Sequence, residues 1–201
     1  MKRSKWTIIL YKKTYYVAHC LELDLIGDGN TKDEATVRLK KTIEIQYHIH
    51  EEKGTYLCFD ADDQWNLLHQ AAPLGKPEKT IFDIQKFGKA ENTENIKVRV
   101  EIDKTPRILK NKDSWRNEYP MHKLIKLLGT KRISWNTSKE LDYGYFLGHC
   151  PAGSDGPIQS YPFYLPPENL VSWYHLKNIA SRFWLDDLTS NLLHENENVE
   201  S

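Results

Sequence analysis

Tyr15-Tyr16-Val17-Ala18-His19-Cys20-Leu21-Glu22-Leu23-Asp24, followed by Gly29-Asn30-Thr31-Lys32-Asp33-Glu34-Ala35, is the stretch that decides the fold. Its first half is aromatic and β-branched and ends in a turn, so it reads as a strand. Its second half reads as a helix start. Thr31 stands three residues before Glu34, a capping box in which hydroxyl and carboxylate satisfy amide donors that a helix leaves open. The spacing predicts a helix that continues on Ala35, Leu39, Ile43 and Tyr47, with Val37, Ile45 and Ile49 beside them and Lys32, Arg38, Lys40 and Lys41 on the other face. Gly54 is the expected stop.

Upstream, Trp6 to Tyr11 is a second strand, which forms a hairpin with Tyr15 to Cys20 across the turn at Lys12 to Thr14. Leu23 to Asp28 is a third strand and Thr55 to Phe59 a fourth. The opening 60 residues therefore read as a strand-strand-strand-helix-strand unit.

These landmarks resemble the N-terminal domain of the HicB antitoxin family. Members carry an aromatic strand, a Cys before a Leu/Pro-Glu-Leu turn, and Gly-x-Thr-x-x-Glu-Ala opening a helix. Here these correspond to Tyr15–Cys20, Leu21–Leu23 and Gly29–Ala35, and the likeness covers about residues 5 to 60. The resemblance implies a partial RNase H-like fold and a non-catalytic role, the neutralisation of a small HicA-like ribonuclease toxin. It places a structural Cys at Cys20. No ribbon-helix-helix or helix-turn-helix pattern follows, and the chain beyond residue 60 matches no HicB extension.

Residues 61 to 95 contain Pro73, Gly75, Pro77 and Gly88 and read as a linker with some structure, Ile81 to Phe87 being its apolar segment. At Ile96, Val98, Val100 and Ile102 apolar residues alternate with charged ones, the signature of a half-covered strand. A second domain is expected from there, over 96–201. Pro120 suits a helix start and Gly129 a left-handed helix end. Lys131 to Asn136 and Tyr143 to His149 read as a hairpin, Ile158 to Tyr164 as a strand, and Glu168 to Leu193 as a long closing helix on Leu170, Tyr174, Ile179, Phe183 and Leu188. The expected class is α+β: a βββαβ unit, then a βαβββα unit. The helix-strand-strand-strand-helix order is that of HicA-like double-stranded-RNA-binding folds, but the Gly-Ser-His-His element of those ribonucleases is missing.

The chain has 201 residues with 28 Lys+Arg against 28 Asp+Glu, so no surface-wide polyanion role follows from composition. Hydrophobic residues at 39% and aromatics at 11% exclude global disorder. Charge is uneven, however. Ten cations lie between Lys104 and Lys139 against Asp113 and Glu118 alone, whereas Phe183 to Ser201 holds five acids and no Lys or Arg. Within the basic segment Arg107, Lys110, Lys112, Arg116, Lys123, Lys126, Lys131 and Arg132 are the candidate nucleic-acid contacts, with Trp115 and Trp135 available for stacking. The alternative is a solvated basic face offset by the acidic terminus.

Chemistry of other kinds finds little footing. His19-Cys20 and His149-Cys150 offer zinc donors, but neighbours on a strand point to opposite faces, so no metal site is expected. Cys150 before Pro151-Ala152-Gly153-Ser154-Asp155-Gly156 lacks a nucleophile-elbow or phosphate-loop pattern and reads as a surface loop. His48 and His50 diverge on their helix, and Asp60, Asp62 and Asp63 read as a turn. No catalytic residue and no cofactor is expected.

An odd set of Cys20, Cys58 and Cys150, with no signal-peptide pattern and no apolar run of membrane length, points to a cytoplasmic protein without a membrane partner. Two functions stay open. One is a HicB-like antitoxin-type binding protein that recognises a protein partner and self-associates through open sheet edges. The other is a protein that binds or acts on DNA or RNA through residues 104–139.

Overall fold

The computed structural model describes residues 7–12, 16–57, 79–80, 96–102, 119–138, 143–164 and 170–185, and the chain divides into two compact units, Met1–Asn111 and Lys112–Ser201. The class is α+β, as expected from the pattern.

In the first unit β1 (Thr7–Lys12), β2 (Tyr16–Cys20) and β3 (Leu25–Gly29) form an antiparallel meander, with Ile8 opposite Cys20 and Ala18 opposite Gly27. The third strand starts later than Leu23 because Leu21 to Asp24 make the turn, where Asp24 takes a φ of 46°. An Asp accepts that left-handed geometry more readily than most side chains. Helix α1 (Lys32–Lys53) follows and packs on β3 and β2.

Its ends are built from the predicted residues. Thr31 Oγ1 accepts the Glu34 N–H at 3.1 Å, and Glu34 Oε2 accepts the Asn30 N–H at 2.9 Å. Gly54, with φ 65°, donates its N–H to the His50 carbonyl at 2.9 Å. Asp33 and Glu34 in the first turn and His50 and Lys53 in the last complement the helix dipole. Ala35, Leu39, Ile43, Ile45 and Ile49 are buried, but Val37 is 48% exposed on the outer face.

The layer is tight because of two glycines. A Cβ on Gly27 would lie 2.2 Å from the Leu39 nitrogen and 2.4 Å from the Ala35 oxygen, and one on Gly29 would meet Glu34 at 2.8 Å. Only a strand surface without side chains there lets the helix backbone approach so closely.

Residues after α1 depart from expectation. Thr55 to Leu57 are not a strand. Gln46 Nε2 donates to the Tyr56 carbonyl at 3.1 Å and the His50 ring contacts the Thr55 carbonyl, so helix side chains take up the acceptors that a ladder would use. Phe59 and Cys58 lie outside the described residues. The strand that returns to the meander is instead β5 (Ile96–Ile102), parallel to β1, with β4 (Lys79–Thr80) antiparallel beside it, in the order β3-β2-β1-β5-β4. This corrects the assignment of Ile96–Ile102 to the second domain. Alternation says that one face is covered, but not which sheet supplies the ladder.

Among the described residues of the second unit β6 (Tyr119–Pro120) comes first and pairs antiparallel with β10 (Leu170–Val171); the two lead into α2 (Met121–Thr130) and α3 (Trp173–Phe183). Between the helices run β7 (Ser134–Ser138), β8 (Tyr143–His149) and β9 (Ile158–Tyr164), an antiparallel sheet in that order. On its packed face Trp135 lies tilted against Phe146 at 4.7 Å, Phe146 meets Phe163 edge-on at 5.7 Å and Tyr161 meets Phe163 edge-on at 5.1 Å. His175 of α3 closes on it, with its Nδ1 3.0 Å from the Tyr161 hydroxyl. Pro162 is tolerated because β9 is an edge, where no ladder donor is missed.

Two helix ends are corrected. Gly129 remains inside α2, and the left-handed residue is Arg132, with φ 59°. The closing helix starts at Trp173, because Leu170 and Val171 are in β10, and stops at Phe183. Trp184 takes φ 52°, and the Leu185 N–H bonds the Ala180 carbonyl at 2.8 Å, a Schellman closure without glycine. The expected continuation through Leu188 to Leu193 lies outside the described residues from 186 onward.

Candidate functional site

Helix α2 sorts its residues cleanly. Met121, Leu124 and Leu128 are buried, while His122, Lys123, Lys126, Gly129 and Thr130 are exposed. At 100° per residue Lys123 and Lys126 lie 60° apart on the solvent arc, with His122 next to Lys126. Lys131 and Arg132, both exposed, follow in the turn to β7. The left-handed Arg132 lets the chain reverse there, and Ile133 then returns to the core at 2% exposure. Four of the eight expected contacts are therefore brought together on one helix and its exit. Arg107, Lys110, Lys112 and Arg116 lie outside the described residues, as does Trp115. His122 went unnoticed in the sequence because it belongs to no charge run; its place on the arc was legible only from helix phase.

Trp135 is half-buried and packed against the sheet. Besides Phe146, it meets Phe163 edge-on at 6.0 Å, and its ring lies on Gly144, where a Cβ would sit 2.2 Å away. Its ring belongs to the packed face of the sheet.

In the first unit β3 is the outer strand on one side of the sheet. Its edge is partly closed. Arg38 donates to the Asp28 backbone carbonyl at 3.0 Å, pairs with Glu34 at 2.6 Å and lies 3.7 Å from the Asp28 carboxylate. A guanidinium on an edge carbonyl discourages further strand addition at that point. His19 Nε2 donates to Asp24 Oδ1 at 2.8 Å, with both side chains buried, which ties β2 to the turn into β3. Cys20, fully buried, points to the opposite face of β2, so His19 and Cys20 do not converge. Burial, with the Glu22 carboxylate next, pushes the Cys20 thiol well above its usual value.

The Cys150 loop is held together by its own polar groups. Ser154 Oγ donates to the Pro151 carbonyl at 2.7 Å and accepts the Gly156 N–H at 3.0 Å. The Cys150 N–H bonds the Pro157 carbonyl at 3.0 Å, and the Ala152 N–H bonds the Phe183 carbonyl at 3.0 Å. Cys150–Pro151 is a cis peptide. Burial raises the Cys150 thiol against the opposing pull of the Arg182 guanidinium. These contacts anchor the loop to the end of α3 and engage the serine hydroxyl as a turn former.

Elsewhere, His48 lies 3.5 Å from Glu52 on the surface of α1. Asp60, Asp62 and Asp63 lie outside the described residues. Among the described residues no three His, Cys, Asp or Glu side chains come together as a metal site, and no helix is long and apolar enough to cross a membrane. No family model, no curated protein and no solved structure matches the chain.

Proposed function

We propose that this chain is a non-catalytic binding protein of the HicB antitoxin type, whose N-terminal unit recognises a small ribonuclease partner and holds it inactive. The observation that supports this reading is the start of the first unit: three antiparallel strands and a helix entered through Gly29-Asn30-Thr31 and packed on β3 and β2. Cys20 is buried at the end of β2, and Glu34-Ala35 lie in the first turn of α1.

The test is biochemical. The tagged full chain is recovered from its native host and its partners are identified by mass spectrometry. A small basic ribonuclease in stoichiometric amount is expected, with RNA cleavage suppressed when purified chain is added back. RNA cleavage by the chain alone, or an associated ribonuclease that it leaves fully active, would overturn the reading.

A further inference from the structure

We propose that the solvent arc of α2 and the turn after it dock on the phosphodiester backbone of a double-stranded nucleic acid and read charge, not bases. The inference rests on the second unit alone and goes beyond the partner reading made for the first.

Between Met121 and Ser138 there is no Asp or Glu, while Lys123, Lys126, Lys131 and Arg132 are all exposed. None of these four side chains has an ion-pair partner among the described residues. Across the described part of the unit, Asp155 is the only carboxylate side chain. Like charges at helical neighbour spacing repel, a cost that an external polyanion removes. From Lys123 to Lys131 the chain advances about 12 Å at 1.5 Å per residue. Along its axis a duplex carries about one phosphate charge per 1.7 Å over both strands, or about seven over that length. The duplex thus supplies more phosphates over that length than there are cations.

Two competing ligands fit less well. A single strand is gripped by rings on which bases stack. Among the described residues, Trp135, the tryptophan next to these cations in sequence, is half-buried and packed on Gly144, Phe146 and Phe163. An anionic membrane would need an apolar face free to insert, but Met121, Leu124 and Leu128 are turned inward and buried.

The full chain is titrated into duplex RNA, duplex DNA and single strands of equal length by fluorescence anisotropy, and into phosphatidylserine vesicles by co-sedimentation. Binding to at least one duplex is expected, the two duplex arms telling which nucleic acid is preferred. Four phosphate contacts contribute about −3.6 to the slope of log K against log salt, roughly a 150-fold loss of affinity between about 50 and about 200 mM salt. The variant K123Q/K126Q/K131Q/R132Q is expected to lose that part of the slope with its circular dichroism unchanged. If it does not fold, K123E/K126E alone is expected to bind about tenfold or more weakly at low salt. An unaltered slope in the folded quadruple variant, or an unaltered affinity in the double variant, refutes the proposal. So does preference for the single strand, or binding to vesicles alone. The quadruple variant separates the two readings: it is expected to suppress the partner ribonuclease as wild type does, whereas suppression lost together with duplex binding would mean that the chain shields the RNA and would overturn the inhibitor reading alone.

Discussion

Replacing Gly27 with alanine tests the layer on which the first unit is built. The added methyl would lie 2.2 Å from the Leu39 nitrogen and 2.4 Å from the Ala35 oxygen, where ordinary contact is 3.4–4 Å. Both are backbone atoms of α1, so no side chain can swing away, and the helix must retreat from β3 by about 1 Å. A gap of that size forfeits about a quarter to a half of each dispersion contact across it. The residues behind it include Ala35, Leu39 and Ile43, all at 0–1% exposure. With Leu39 and Ile43 each worth about 1.5–3 kcal/mol, a quarter to a half of their sum is about 1–3 kcal/mol, the overpacking range. The entropic gain of Gly→Ala in the unfolded chain, about 0.4–1 kcal/mol, offsets only part of it.

Gly129→Ala is the matched control. It adds the same methyl in a helix, with nothing within 4 Å, and is expected to stabilise by about 0.5–1 kcal/mol. Urea unfolding followed by circular dichroism gives the free energies, and hydrogen exchange resolved by peptide assigns the loss to α1. A Gly27→Ala protein within about 0.5 kcal/mol of wild type, with α1 amides equally protected, would mean that helix and strand do not meet as described. The antitoxin reading would then lose its structural support.

Gly144→Ala should cost about 1–3 kcal/mol and shift tryptophan emission, since Trp135 must leave its seat; unchanged emission and stability would place that ring elsewhere. The Cys20 thiol gives a pH signature. Because its folded pKa is raised, the native state keeps a proton that the unfolded chain releases above about pH 8.5, so stability falls as pH rises past that value, by up to about 1.4 kcal/mol per pH unit. The urea midpoint of wild type should fall more steeply with rising alkaline pH than that of Cys20→Ala, so that the gap between them narrows, and parallel curves would refute the burial. Arg132→Gly removes a side chain from a left-handed position, with about 1 kcal/mol gained in thermal or urea stability, while the salt dependence of duplex binding weakens by about 0.9 in slope. Lower stability, or an unmoved slope, would count against the turn geometry or the contact respectively.

Local chemistry made much of the fold legible. The Thr31/Glu34 box and Gly54 marked both ends of α1, and the apolar stripe through Ala35, Leu39 and Ile43 marked its buried face, because caps and periodicity are properties of a few neighbouring residues. Alternation found β5 as a strand in the same way. Exposure on α2 followed from its phase, so Lys123 and Lys126 were identifiable as surface cations from spacing alone.

Tertiary structure decided everything that depends on partners distant in the chain. Ile96–Ile102 is a strand by pattern, but its place beside β1 comes from the ladder that β1 offered. Thr55 has strand propensity, yet Gln46 and His50 hold the carbonyls around it. Trp135 reads as an available ring until Gly144 is found beneath it. Trp184 ends α3 without any of the usual stop residues. Propensity and periodicity record what a segment prefers by itself. Which edge, carbonyl or ring it finally meets is set by contacts between segments far apart in sequence, and no local pattern encodes those.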